Sequence, residues 1–166
     1  MSSPSGWNLA LNEATGSSGS PPVVSVIVPV YHEEGEIVPL LDHLRRLPSP
    51  GPTEIIVVDG AGGTTIAAAE ARGYRFGAES GLTALVCPAG RAGQMNRGAR
   101  LTGGTALLFL HADTRLPDAA FRMISDALGK YRAGAFDLRF DTSHPWIRFI
   151  GAVGRLRSRL SRIPYG

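Results

Sequence analysis

The chain has 166 residues, 43% hydrophobic and 19% charged, with a formal net charge of +3, which suits one domain with a real core and is short for two. No apolar run approaches the ~20 residues that span a bilayer, and the N-terminus lacks the charged-then-apolar layout of a secretory signal, so a cytoplasmic protein is expected. A single cysteine, Cys87, excludes an intrachain disulfide framework and a multi-cysteine zinc site, and at the end of a predicted strand it reads as packing.

Residues 1–22, with Ser and Gly repeated through Gly16-Ser17-Ser18-Gly19-Ser20, read as a disordered lead outside the fold. Val23 to Tyr31 is a β-branched run expected to form a buried strand, with Pro29 near its end where a ladder donor can be spared. His32, Glu33, Glu34 and Glu36 follow, then Ile37, Leu40, Leu41, Leu44 and Leu47 at helical spacing. Acids in a first helical turn suit the positive end of the helix dipole, so Glu33 and Glu34 are candidates for simple capping. Pro48 to Pro52 ends that helix.

A second buried strand, Glu54 to Val58, stops on Asp59 and opens into Gly60-Ala61-Gly62-Gly63-Thr64-Thr65. The dinucleotide fingerprint fails here because Thr65 stands where its last glycine belongs, and a Walker loop fails because the only lysine is Lys130. An ionised acid at a strand end is a pure acceptor, suited to a ribose hydroxyl or a base edge, so Asp59 and Gly60 are candidate ligand residues. A helix from Thr65 to Arg72 leads to a third strand, Leu82 to Cys87. Pro88 to Gly98 then enters a short helix, where Arg91 either binds a phosphate or is a solvated arginine.

The fourth strand lies in Thr105 to Pro117, an apolar run that reads as buried on both faces and breaks onto His111-Ala112-Asp113. In an open parallel sheet the C-terminal edge is where ligands bind, while the plainer reading has Asp113 opening the turn before the next helix. That helix is expected from about Asp118 to Tyr131 with Phe121, Ile124 and Leu128 inward, and a last strand at Ala135 to Asp141. Four strand-then-helix units make an α/β, doubly wound, mostly parallel sheet with helices on both faces.

From Trp146 on, Trp146, Phe149, Ile150, Val153, Leu156, Leu160 and Ile163 recur at three and four, with Arg148, Arg155, Arg159 and Arg162 on the other side. This predicts a basic amphipathic helix over 145–166, which either packs back on a domain spanning 23–144 or lies on a membrane surface. Five arginines and no acid follow Asp141, so the tail points to an anionic partner. Nucleic acid is not expected, because Trp146 and Phe149 share the apolar side and do not interleave with the arginines.

Taken together, four ordered motifs resemble the family 2 glycosyltransferases of the GT-A fold. They are Ser25 to Glu34, Ile56 to Gly60, Gly90-Arg91 to Asn96-Arg97-Gly98, and Phe109-Leu110-His111-Ala112-Asp113. Within that family the chain is similar to a bacterial branch reading "GRAxQMN" and "FLHADT". The resemblance implies transfer of a sugar, with inversion, from a nucleotide-diphosphate sugar to an acceptor that is lipid-linked in the simplest membrane-docked reading. It implies that Pro29, Tyr31, Glu33 and Asp59 line the base and ribose pocket, that Arg91 and Asn96 lie beside the donor, and that His111-Ala112-Asp113 replaces an Asp-x-Asp. Asp113 would be the ligand of Mg²⁺ or Mn²⁺, hard cations that use one or two carboxylates plus phosphates.

The chain departs from the family pattern in three places: His32 stands where Asn is common, the Asp59 turn lacks the usual further acid, and His111 replaces the first acid of the Asp-x-Asp. No acid follows Asp141 to serve as general base, leaving Asp137 and Asp141 as substitutes. The expectation is that this 166-residue form, apparently truncated, binds donor better than it turns it over. The rival readings are a non-catalytic or truncated nucleotide-sugar-binding module and a nucleotidyltransferase, the latter lacking its lysine-bearing glycine loop after the first strand.

Overall fold

The computed structural model of the chain describes residues 24–136. The N-terminal lead, Asp137, Asp141 and the basic segment 145–166 lie outside the described residues. Compact contact units are Met1–Ser125 and Asp126–Gly166. The described part of the second holds the end of a helix and a turn in which the amides of Lys130 and Tyr131 donate to the Ala127 carbonyl.

The first unit is built on four parallel strands in the order β3-β2-β1-β4: β1 (Val24–Val30), β2 (Thr53–Asp59), β3 (Leu82–Val86) and β4 (Ala106–Phe109). All seven residues of β1 are buried, which is why it reads as continuous Val and Ile and shows no alternation. Pro29 sits in this central strand without breaking its pairing. Leu110 donates to the Ile27 carbonyl, so Ile27 faces β4, and Pro29, two residues on, faces the same way beyond the last β4 pair, Ile27 with Phe109. The missing proline donor therefore falls where no ladder exists.

Helix α1 (Ile37–Arg46) buries Ile37, Leu40, Leu41 and Leu44, the spacing of one helical face. Its first turn holds no acid: Glu33 and Glu34 lie in the turn before it, and the amides of Glu36 and Ile37 donate to the Glu33 carbonyl. The capping expected of the Glu33 and Glu34 side chains is thus replaced by a backbone turn. Helix α2 (Thr64–Ala71) packs against α1 and β2, while α3 (Arg91–Ala99) packs on β1 and β2. The chain winds outward from β1 to β3 and returns past it to β4, so right-handed crossovers put α1 and α2 on one face and α3 on the other. The winding direction reverses between β1 and β4.

Two expectations are corrected. β4 is not buried on both faces: it has a neighbour on one side among the described residues, and Leu107 and Phe109 are 47% and 43% exposed. Helix α4 (Ala120–Leu128) buries Ala120 and Phe121, but Leu128 is 41% exposed, so the predicted apolar stripe is covered only at its start among the described residues. Ala135 and Phe136 form no strand, and the remainder of that predicted element is not described.

Candidate active site

Because the strands are parallel, the loops after Val30, Asp59, Val86 and Phe109 all leave from one edge, and the switch between β1 and β4 opens a crevice there. Every candidate residue lies on these loops or at the start of α3. A hollow lined by Arg75 to Ser80 opens instead beside Leu82, at the start of β3 and so on the opposite edge.

The loop after β1 begins with Tyr31, 55% exposed, whose ring meets His32 edge-on at 4.6 Å between centroids and 69° between planes. His32 has φ +55°, the left-handed region that few non-glycine residues occupy, and this bend turns the chain from β1 towards α1. The loop is stitched to α2 twice: the Glu33 amide donates to the Thr65 hydroxyl oxygen at 3.1 Å, and the Thr64 hydroxyl donates to Glu34. The Thr64 bond, with Glu34's own backbone amide, holds the Glu34 carboxyl below its usual range, and His32 Nδ1 at 3.6 Å adds to this.

Asp59 is fully buried, and both its oxygens are already engaged. Oδ1 accepts from the Ala61 amide at 2.6 Å, and Oδ2 accepts from Thr65 at 2.9 Å and Ile66 at 3.3 Å. A carboxylate at the unsatisfied amides of a helix N-terminus is favourable both as a hydrogen-bond acceptor and as a charge. Asp59 therefore shapes the Gly60–Gly63 turn from beneath. Gly60 has no room for a side chain, since a Cβ there would lie 3.1 Å from the Ala89 Cα and from the Gln94 amide.

Gln94 is the residue that sequence reasoning passed over. It is 3% exposed, and its Nε2 donates to both the Val30 and Val58 carbonyls at 2.8 Å, joining the ends of β1 and β2. Four residues on, Gly98 lies against the sheet, where a Cβ would come 2.5 Å from Ile27 Cγ2 and 3.0 Å from Val58 Cγ2. The helical spacing of Gln94 and Gly98 was a legible signal for one sheet-facing side. It leaves Arg91, in the first turn of α3, and Asn96 exposed.

On the loop after β4, Ala112 is buried, His111 half-buried and Asp113 exposed. The Thr114 amide closes a turn onto the His111 carbonyl at 3.1 Å, and the Thr114 hydroxyl donates a long bond of 3.3 Å to Asp113 Oδ1. No cluster of three His, Cys, Asp or Glu side chains able to hold a metal occurs among the described residues. A single accessible carboxylate fits a cation that arrives with phosphate oxygens as its other ligands, and does not fit one held by protein alone.

Against known proteins, the sequence pattern described as Glycosyl transferase family 2 matches residues 25–162. The chain belongs to that family. Among solved structures it is similar to S. aureus TarS 1-349, with a TM-score of 0.53 at 21% identity, over 66% of this chain and 33% of that one. It is similar also to the mannosyltransferase PcManGT from Pyrobaculum calidifontis in complex with GDP-Man and Mn²⁺, with a TM-score of 0.51 at 25% identity, over 69% and 35%. This family 2 chain thus spans about a third of the length of each. No curated protein matches it. The α/β, GT-A reading of the sequence is what the sheet and these neighbours show.

Proposed function

We propose that this chain binds a nucleotide-diphosphate sugar at the C-terminal edge of its sheet and transfers the sugar, with inversion and with Mg²⁺ or Mn²⁺, to an acceptor. The observation that carries this reading is the gathering of the Tyr31, Gly60 and Asp113 loops at the β1–β4 switch of a family 2 chain. Pro29, the exposed Tyr31 ring, Glu33 and the Asp59–Gly60 turn would line the base and ribose, with Asp59 acting through the turn it holds. Arg91 and Asn96 would stand beside the diphosphate, and His111, Ala112 and Asp113 would face the cation. When bound, that cation supplies positive charge against the charge developing on the leaving diphosphate. The pattern match to residue 162 favours a transferase over a non-catalytic module.

The test is thermal unfolding with GDP, UDP and GDP-Man, with and without Mn²⁺. Ligand at a hundred times its Kd stabilises a protein by about 2.7 kcal/mol. The wild type is expected to gain stability with nucleotide and to gain more with Mn²⁺, and Asp113→Ala to keep the first gain and lose the second. Equal response of the two proteins to Mn²⁺ would remove Asp113 from the reading. The five arginines after Asp141 we assign to anionic lipid, next to a lipid-linked acceptor at the inner membrane face. Co-sedimentation with anionic vesicles should then fall as salt is raised, and a salt-independent yield would argue against it.

A further inference from the structure

The segment that carries Asp113 is tied at both ends and at its middle. It leaves β4 with the Leu110 amide on the Ile27 carbonyl and turns with Thr114 on His111. It then runs along α1, where Glu36 and His43, two turns apart on one face, meet consecutive residues. Arg115 reaches Glu36 Oε2 at 3.7 Å and donates from its other nitrogen to the Ala112 carbonyl at 3.2 Å and the Thr114 carbonyl at 3.3 Å. His43 Nε2 lies 3.1 Å from the Leu116 amide and 3.0 Å from the Leu116 carbonyl.

The two ties differ in strength. Glu36 and Arg115 are 48% and 41% exposed, and an ion pair in water holds little. Leu116 is 6% exposed, so its amide and carbonyl have His43 in place of water. Pro117 supplies no amide and biases Leu116 towards an extended backbone, leaving these groups to a side chain. Glu36, for its part, is bonded through its own amide to Glu33, so α1 contacts both the donor-side loop and the Asp113 loop.

We propose that His43 is a positioning residue for Asp113: by holding Leu116 to α1 it fixes where the carboxylate stands, and so sets the affinity for the cation that accompanies a nucleoside diphosphate. This rests on the reading of Asp113 as a cation ligand. Residues that orient a metal ligand commonly change metal affinity about tenfold to a hundredfold when removed.

The experiment compares wild type, His43→Ala and His43→Gln by Mn²⁺ titration at saturating GDP, by GDP binding in EDTA, and by amide hydrogen exchange. Gln can still offer an oxygen to the Leu116 amide. His43→Ala is expected to weaken the Mn²⁺ response about tenfold or more while metal-free GDP binding stays within twofold, with His43→Gln close to wild type. Exchange should quicken over 111–116 and stay slow in β1 and β2. Overlapping Mn²⁺ curves for wild type and His43→Ala would overturn the positioning role and leave the functional reading standing. Faster exchange across the whole sheet would overturn it by showing a merely structural residue, and failure of the wild type to bind Mn²⁺ with GDP would overturn both.

Discussion

Gln94 shows how much one side chain decides at this edge. Removing a buried donor that serves two carbonyls leaves acceptors short of partners, so Gln94→Ala should cost about 1–3 kcal/mol in urea unfolding. Gln94→Glu is more informative. An ionised carboxylate would face two carbonyl oxygens with nothing to donate, so at neutral pH it should be less stable than Gln94→Ala, and the deficit should shrink as the pH is lowered and the group protonates. Asp59 makes the opposite case, since its three backbone donors make it a fixture of the turn, and Asp59→Asn should lower stability even in the absence of any nucleotide.

At the scale of elements, two packings can be tested. Gly98→Ala adds a methyl 2.5 Å from Ile27 Cγ2, and the overpacking cost of about 1–3 kcal/mol should exceed the helix-propensity gain of about 1 kcal/mol, so the variant should unfold at lower urea. Between α1 and α2, the Tyr74 hydroxyl donates to Asp42 while Arg45 lies 4.5 Å above the Tyr74 ring. Burial, reinforced by the Asp42 carboxylate, pushes the Tyr74 phenol up to about 12 from 10.0. An acid whose pKa rises on folding holds its proton more tightly in the native state, so this contribution is complete below pH 10 and is lost between pH 10 and about 12. Tyr74→Phe should flatten that alkaline decline in a stability-against-pH series.

At the scale of the whole molecule, what the sequence revealed was whatever hydrophobic periodicity encodes. The runs of Val and Ile gave β1 and β2 to within a residue, and four strand–helix units gave the parallel sheet, which is enough to put Tyr31, Asp59 and Asp113 on one edge. Contacts between residues far apart in the chain carry no such period. That Asp59 turns inward to α2, that Gln94 reaches across to β1 and β2, and that His43 meets Leu116 depend on how separate elements come to rest. The same limit explains β4: its Leu-Phe composition resembles a central strand, but its place in the sheet order is a property of the winding. At the opposite edge, Glu54 accepts from Ser25 and from the amides of Gly103 and Gly104, a third tie of this long-range kind.

One nitrogen between the ends of two strands has a further consequence. Since the Gln94 amide grips both carbonyls at 2.8 Å, the width of the opening above them is inherited from hydrogen-bond lengths and from the reach of a single side chain. Neighbouring loops are then free to change their residues, and with them the guest they favour, without altering the gauge of the frame on which they are mounted.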